Sequence, residues 1–153
     1  MNYRLAEKND IPRLSEMRWA FKIEDSDEIK RESKREFLAR CSEFYQTALN
    51  NNWHCWVAEE NETIVSHMFI QKVDRIPSPD ESSDPIGYLT NVYTVPEYRN
   101  AGIGTLLLCE VKKWSIHQGF VLLIVWPSER SVPFYERAGF TSDNEVLELR
   151  FSK

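Results

Sequence analysis

Apolar positions along this chain recur with two periods, one helical and one strand-like. Asn2 to Ala6 reads as a short first strand. Ile11, Leu14, Met17 and Phe21 then follow at helical spacing, with Asn9 or Asp10 placed to cap the helix and Pro12 in its first turn. A second helix is predicted from about Lys30 to Leu49, with Phe37, Cys41, Phe44, Tyr45 and Ala48 on one face. Trp53 to Ala58 and Thr63 to Val73 read as two strands around the polar turn Glu59 to Glu62. Ile76 to Pro85 is rich in turn formers and reads as a loop between strands. A long strand, Ile86 to Val95, leads through a glycine turn into a third helix, which Gly119 ends with left-handed backbone. Phe120 to Trp126 is a continuous apolar run that suits a central strand covered on both faces. The strands flanking the third helix are then parallel, joined by a right-handed crossover. A short helix, about Ser131 to Ala138, and one or two terminal strands, ending near Glu145 to Phe151, close the chain. The pattern is mixed α/β, with helices on both faces of a twisted sheet.

Size and composition narrow the picture. A length of 153 residues predicts one domain, residues 1–153. No run of ~18 apolar residues marks a membrane span, and the N-terminus lacks a basic-then-apolar signal pattern. Cys41, Cys55 and Cys109 are odd in number and dispersed, which suits a reducing cytoplasm rather than a disulfide framework. The formal net charge of −5 argues against nucleic acid as the main partner. His54, His67 and His117 do not fall at metal-ligand spacing, so no metal site is expected.

Candidate chemistry concentrates at Tyr88 to Gly119, YLTNVYTVPEYRNAGIGTLLLCEVKKWSIHQG. Strand, glycine turn and helix start form a recipe for holding phosphate. The first-turn N–H groups lack helical partners, and the helix dipole favours negative charge there. Glycines let the backbone approach the anion closely. A dinucleotide fold wants G-x-G-x-x-G early in the chain, and a nucleotide triphosphatase wants G-x-x-x-x-G-K-[ST]. Neither is present; the motif is R-x-x-G-x-G, Arg99 to Gly104.

With these flanks the segment resembles the GCN5-related N-acetyltransferases, which move acetyl groups from acetyl-CoA to amines. A second block, VWPSERSVPFYERAGF from Val125 to Phe140, resembles that superfamily's later strand, its short Phe-Tyr helix and the closing Gly-Phe. RLAEKNDIPRLSEM, from Arg4, resembles its opening strand and first helix, so the resemblance spans essentially the whole chain. It implies the single-domain acyl-CoA N-acyltransferase fold, with about six to seven strands and about four helices. It implies transfer from acetyl-CoA, as co-substrate, to a primary amine of a small molecule or peptide. The amine attacks directly in a ternary complex. Homodimers are common in the family.

The resemblance also implies roles for residues. Arg99, Asn100, Ala101, Gly102, Ile103, Gly104 and Thr105 would hold the pyrophosphate, mainly through backbone N–H groups. The family usually has Gly where Asn100 stands, and Asn tolerates left-handed backbone. Tyr93, Thr94 and Val95 would pair with the pantetheine arm where this strand splays from the next parallel one. A backbone N–H there can stabilise the oxyanion. Ordinary pairing of the two strands is the alternative. Tyr135 is the expected general acid, since a phenol of pKa near ~10 can give the leaving thiolate a proton or a hydrogen bond. Its alternative is a packing role with the hydroxyl on a backbone carbonyl. Ser128 either touches the cofactor arm or caps the short helix. Glu129 accepts the amine proton, grips a cationic substrate, or sits in solvent. Trp126 is core or substrate platform.

No natural general base stands out, since Thr90, Asn91 and Tyr93 can only order a water. Glu24, Asp25, Asp27 and Glu28 fall in the connection that lines the acceptor site in the family. Their acidity favours a cationic amine, against a merely solvated loop. A non-catalytic acyl-CoA-binding regulatory module and an acyltransferase for longer acyl-CoA remain as alternatives.

Overall fold

The computed structural model describes residues 1–25, 32–49, 51–79, 83–142 and 149. Among these the elements run β1 (Asn2–Leu5), α1 (Ile11–Asp25), α2 (Lys34–Ala48), β2 (Trp53–Glu60), β3 (Thr63–Val73), β4 (Ile86–Thr94), α3 (Ile103–His117), β5 (Leu122–Val125) and α4 (Val132–Arg137). They form one five-stranded sheet in the order β1-β2-β3-β4-β5. All neighbours are antiparallel except β4 and β5, which are parallel across α3 as expected. No helix among the described residues is long and apolar enough to cross a membrane.

Two expectations are corrected and one lies outside the described residues. The sheet has five strands among the described residues rather than six to seven. The expected terminal strand, Glu145 to Phe151, lies outside them apart from Leu149. The strand covered on both faces is β3, where Ile64 to Ile70 are all buried. Within the described residues β5 pairs only with β4, and Leu122 is 50% exposed. An apolar run alone cannot tell a central strand from a partly covered edge.

Helix starts follow from local hydrogen bonds. Ser33 Oγ accepts from the Glu36 N–H at 3.3 Å, and the Glu36 carboxylate accepts from the Ser33 N–H at 2.9 Å. This reciprocal cap fixes the start of α2 at Lys34, later than the hydrophobic pattern suggested. Asp10 does not cap α1. It closes a 3-10 turn by accepting from the Glu7 N–H at 2.7 Å, and it pairs with Arg4 at 2.7 Å.

The sheet separates two apolar layers. Ile11, Leu14 and Met17 of α1 and Tyr45 of α2 pack with Cys55, Val57, Phe69 and Tyr93. Leu107, Leu108 and Val111 of α3 and Tyr135 of α4 pack on the other face with Val65, Met68, Ile70 and Leu89. Full burial of each such aliphatic chain contributes ~1.5–3 kcal/mol.

One irregularity positions the site. Phe69 pairs with Thr90 and His67 with Tyr93, so Asn91 and Val92 together oppose Met68. This is a β-bulge on β4, with Asn91 at φ 48°. The extra residue inverts the side-chain alternation, so Tyr93 turns to the α1 face while Leu89 faces α3.

Candidate active site

Two hollows flank the bulge, one lined by Asn91 and the other by Val92. The first is a cleft of about 560 Å³ between the end of β4, the start of α3 and α4. It exists because β4 and β5 part. Their pairing runs from Ile86–Leu122 to Leu89–Val125 and stops, leaving residues 90–94 without a β5 partner. Val92, Tyr93 and Thr94 form one wall. Arg99, Asn100, Gly102, Ile103, Gly104 and Thr105 form the end.

Two residues of the turn have left-handed backbone. Asn100 sits at φ 61° and Gly102 at φ 77°, so Asn serves where the family has Gly. Gly102 precedes α3 with no side-chain cap, so the helix's first N–H groups face the cleft without one. The Gly102 carbonyl already accepts from the Leu106 N–H at 3.0 Å. Arg130 and Arg137, which the sequence reading missed, join Arg99 around the cleft. Their only signal was their place on either side of the Phe-Tyr pair. Charge and shape here fit a phosphorylated ligand.

Other expected residues are distributed unevenly. Val95 is not a wall residue, and its N–H donates to the Val65 carbonyl at 2.9 Å. Ala101 is exposed in the turn but not on the wall. Ser128 is exposed and off the wall, and its hydroxyl donates to Ser131 Oγ at 3.1 Å rather than capping a backbone N–H. Ser131 does reach the wall. Glu129 is exposed in the same turn. Trp126 is 56% exposed and meets Tyr88 edge-on at 4.7 Å.

Glu24 is tied into the cleft. Tyr93 Oη donates to its Oε1 at 2.6 Å, and Arg99 donates to its Oε2 at 2.6 Å. Arg99 also donates through Nε to the Thr94 carbonyl at 2.8 Å and lies over the Tyr93 ring. Burial would raise the Glu24 carboxyl. The hydrogen bonds from Tyr93 and Arg99 and the nearby Arg99 and Arg130 charges outweigh it and hold Glu24 below its ordinary value. Such a carboxylate is a poor proton acceptor at neutral pH. Burial first, and then Glu24, push the Tyr93 phenol up to about 12. Asp27 and Glu28 lie outside the described residues.

Tyr135 is 6% exposed, ringed by Phe134 and Phe140, and burial pushes it up to about 12. Tyr135 packs in the α3-side core and is not among the cleft's wall residues, whereas its neighbour Phe134 is.

The second hollow, about 410 Å³, lies on the α1–α2 side of the bulge. Asn91 and Thr90 reach it from β4, beside the Val92–Thr94 wall of the cleft. Its other walls are aromatic rings, with Arg18, Arg40 and Cys41 among them. Burial pushes the Cys41 thiol up, away from nucleophile chemistry. No group of three or more metal-ligating side chains occurs among the described residues.

A parallel pair parted beside a glycine turn and helix start defines a mixed α/β protein with a ligand cleft at its strand ends. The family model for the Acetyltransferase (GNAT) family matches residues 13–140, and the chain belongs to that family. A predicted acetyltransferase from Clostridium acetobutylicum, solved with acetyl-CoA, is similar with a TM-score of 0.76 at 29% identity, over 97% of this chain and 95% of that one. An acetyltransferase from Trypanosoma brucei shares the fold, with a TM-score of 0.68 at 24% identity over 98% and 99% of the two chains. Glucosamine 6-phosphate N-acetyltransferase of Trypanosoma brucei brucei is 34% identical over 64 residues. That match spans 42% of this chain and 44% of the relative's own length.

Proposed function

We propose that the protein is an acetyl-CoA-dependent N-acetyltransferase that acetylates a primary amine by direct attack in a ternary complex. The observation that carries this is the parting of β4 from β5 after Leu89–Val125, which opens onto the Gly102–Thr105 helix start. Acetyl-CoA lies in this cleft as substrate, its pyrophosphate on the first-turn N–H groups and within reach of Arg99, Arg130 and Arg137. The pantetheine arm pairs with the free edge at Val92 to Thr94, which brings the thioester towards the bulge and the second hollow.

The amine nitrogen attacks the thioester carbonyl. A C–N bond forms, the C–S bond breaks, and CoA leaves as thiolate. A backbone N–H of the β4 edge holds the oxyanion. Tyr135, with its pKa near 12, keeps its proton at neutral pH. A thiol has a pKa of about 8.5, so full proton transfer from Tyr135 is uphill and its part is hydrogen-bond donation to the departing sulfur. The ammonium proton leaves through water ordered by Thr90 and Asn91, since Glu24 is already paired.

Calorimetric titration of the full chain with acetyl-CoA, against NADH and ATP, tests the reading, followed by thiol release with an amine panel. Selective acetyl-CoA binding with turnover supports it. A folded sample that ignores acetyl-CoA refutes it. The pairing of Glu24 favours one rival, a non-catalytic acyl-CoA-binding module, for which binding would occur without turnover on any amine.

A further inference from the structure

We infer that the acceptor is an amine bearing a carboxylate on an apolar or aromatic body, with Arg18 as the group that reads the carboxylate. This rests on the acetyl-transfer reading for the chemistry, but the pocket argument is independent of it.

Arg18 is a half-buried guanidinium on α1, projecting into the second hollow. Its Nη1 donates to Asn91 Oδ1 at 2.9 Å, and its Cζ lies 5.6 Å from the Phe21 ring centroid. Both partners are neutral, and no carboxylate among the described residues pairs with it. Arg4, Arg40 and Arg99 differ, for each has a glutamate or aspartate partner. A partly desolvated cation without a counter-ion is costly, and an incoming anion removes that cost. Nε and Nη2 remain as donors with the spacing that matches a carboxylate.

The rest of the hollow selects the body. Phe37, Phe44, Tyr45, Trp53, Phe69 and Tyr88 supply its apolar surface. None of its wall residues is a carboxylate; Arg40 also lines it, over Phe37, but is paired with Glu32, so Arg18 is the cation without a carboxylate partner among the described residues. A polyamine or other multiply cationic acceptor would meet like charge here. This departs from the cationic acceptor that the acidic stretch suggested; of that stretch, Glu24 lies on the other hollow and is already bound to Tyr93 and Arg99.

Position links the hollow to the chemistry. Asn91, which orients Arg18, sits in the bulge beside the Val92–Thr94 edge. On α1, Arg18 is about one turn from Phe21, which lines the cleft. An acceptor whose carboxylate rests on Arg18 therefore has its amine facing the bulge. The amine loses its proton to solvent, forms the amide C–N bond and releases CoA thiolate.

The test compares phenylalanine, tryptophan and methionine with their carboxamides, alongside spermidine and glucosamine 6-phosphate, by CoA release. Wild type, Arg18→Lys and Arg18→Gln are used, each checked for folding by its melt. In wild type, kcat/KM for at least one acid should exceed its carboxamide by about 10-fold or more, the size of a hydrogen bond to a charged group. That ratio should shrink in Arg18→Lys and approach one in Arg18→Gln, mainly through KM. Carboxamides or spermidine used as well as the acids would overturn the inference while leaving acetyl transfer intact. Glucosamine 6-phosphate preferred over every amino acid would also overturn it, since a sugar phosphate has no apolar body for these walls. Binding of the acids is read separately by chemical-shift titration without acetyl-CoA. Arg18-dependent binding without turnover would sustain the pocket assignment and sink the enzymatic one. No binding of any acid would overturn the pocket assignment.

Discussion

Replacing Gly104 with Ala should separate ligand grip from folding. Gly104 is not among the glycines with positive φ, so Ala can take its backbone conformation. A Cβ built there lies 3.7 and 3.8 Å from the Phe134 ring and 3.9 Å from Thr94 Oγ1, ordinary contact distances. The fold should accept the methyl and gain ~0.4–1 kcal/mol from a less flexible unfolded chain. Those same neighbours place the methyl between α4 and β4, beside the first-turn N–H groups of α3. Pushing a phosphate off one such N–H forfeits a charge-assisted hydrogen bond of ~1.5–3 kcal/mol, or about 10- to 150-fold in Kd. Gly102→Ala is the contrasting case. Nothing lies within 4 Å of its added Cβ, but φ is +77°, so the backbone is strained by ~1 kcal/mol or more. Calorimetry with acetyl-CoA and a thermal melt, run on both variants, read the two effects apart. Gly104→Ala should melt no lower than wild type and bind at least tenfold more weakly. Unchanged affinity in a folded Gly104→Ala protein would refute the assignment of this turn to the phosphates.

Tyr135→Phe should leave acetyl-CoA affinity near wild type and lower kcat by about 10- to 100-fold; turnover unchanged across the pH range would remove Tyr135 from the mechanism. Arg137→Gln should weaken acetyl-CoA several-fold and flatten the dependence of Kd on ionic strength, as calorimetry at two salt concentrations will show. His67 is fully buried, and burial holds it down to about 3, so the folded protein keeps it neutral. An unfolded His binds a proton below about 6.5, so its contribution is intact above that pH and is lost as pH falls towards 3, at up to ~1.4 kcal/mol per unit. Urea melts at pH 7 and pH 5 should show roughly 2 kcal/mol more acid loss for wild type than for His67→Leu; equal losses would remove His67 as the cause.

The glycine turn was legible in the sequence because local rules alone build it. A left-handed Asn100 and Gly102 before an uncapped helix need no distant partner to be recognised. Helix faces were legible for the same reason, and the α2 stripe at Phe37, Cys41, Phe44 and Tyr45 does line the second hollow. What escaped depends on contacts far apart in the chain. Glu24 looked like a free acid until Tyr93 and Arg99, on β4 and in the turn, were found on its two oxygens. Arg18 was not singled out in the sequence, because nothing local shows that Asn91 is its partner. The bulge that joins these residues left no mark in the alternation of β4, since it shows in the left-handed φ of Asn91 and in the register that Asn91 and Val92 keep with Met68, not in the order of apolar and polar residues.

That bulge has a bearing on how such a protein can diversify. On its N-terminal side, Tyr88, Thr90 and Asn91 face the α1–α2 hollow, while Val92, Tyr93 and Thr94 beyond it line the other. On the acetyl-transfer reading proposed above, the side chains on either side of one inserted residue would answer to different ligands. Mutations in the first group and in α2 would then explore new acceptors while the proposed acetyl-donor cleft is left unchanged. Removing the extra residue would return β4 to simple alternation and exchange the faces of everything beyond it. Grafts between relatives should therefore be cut at Asn91–Val92, where the residues before and after the bulge line different hollows.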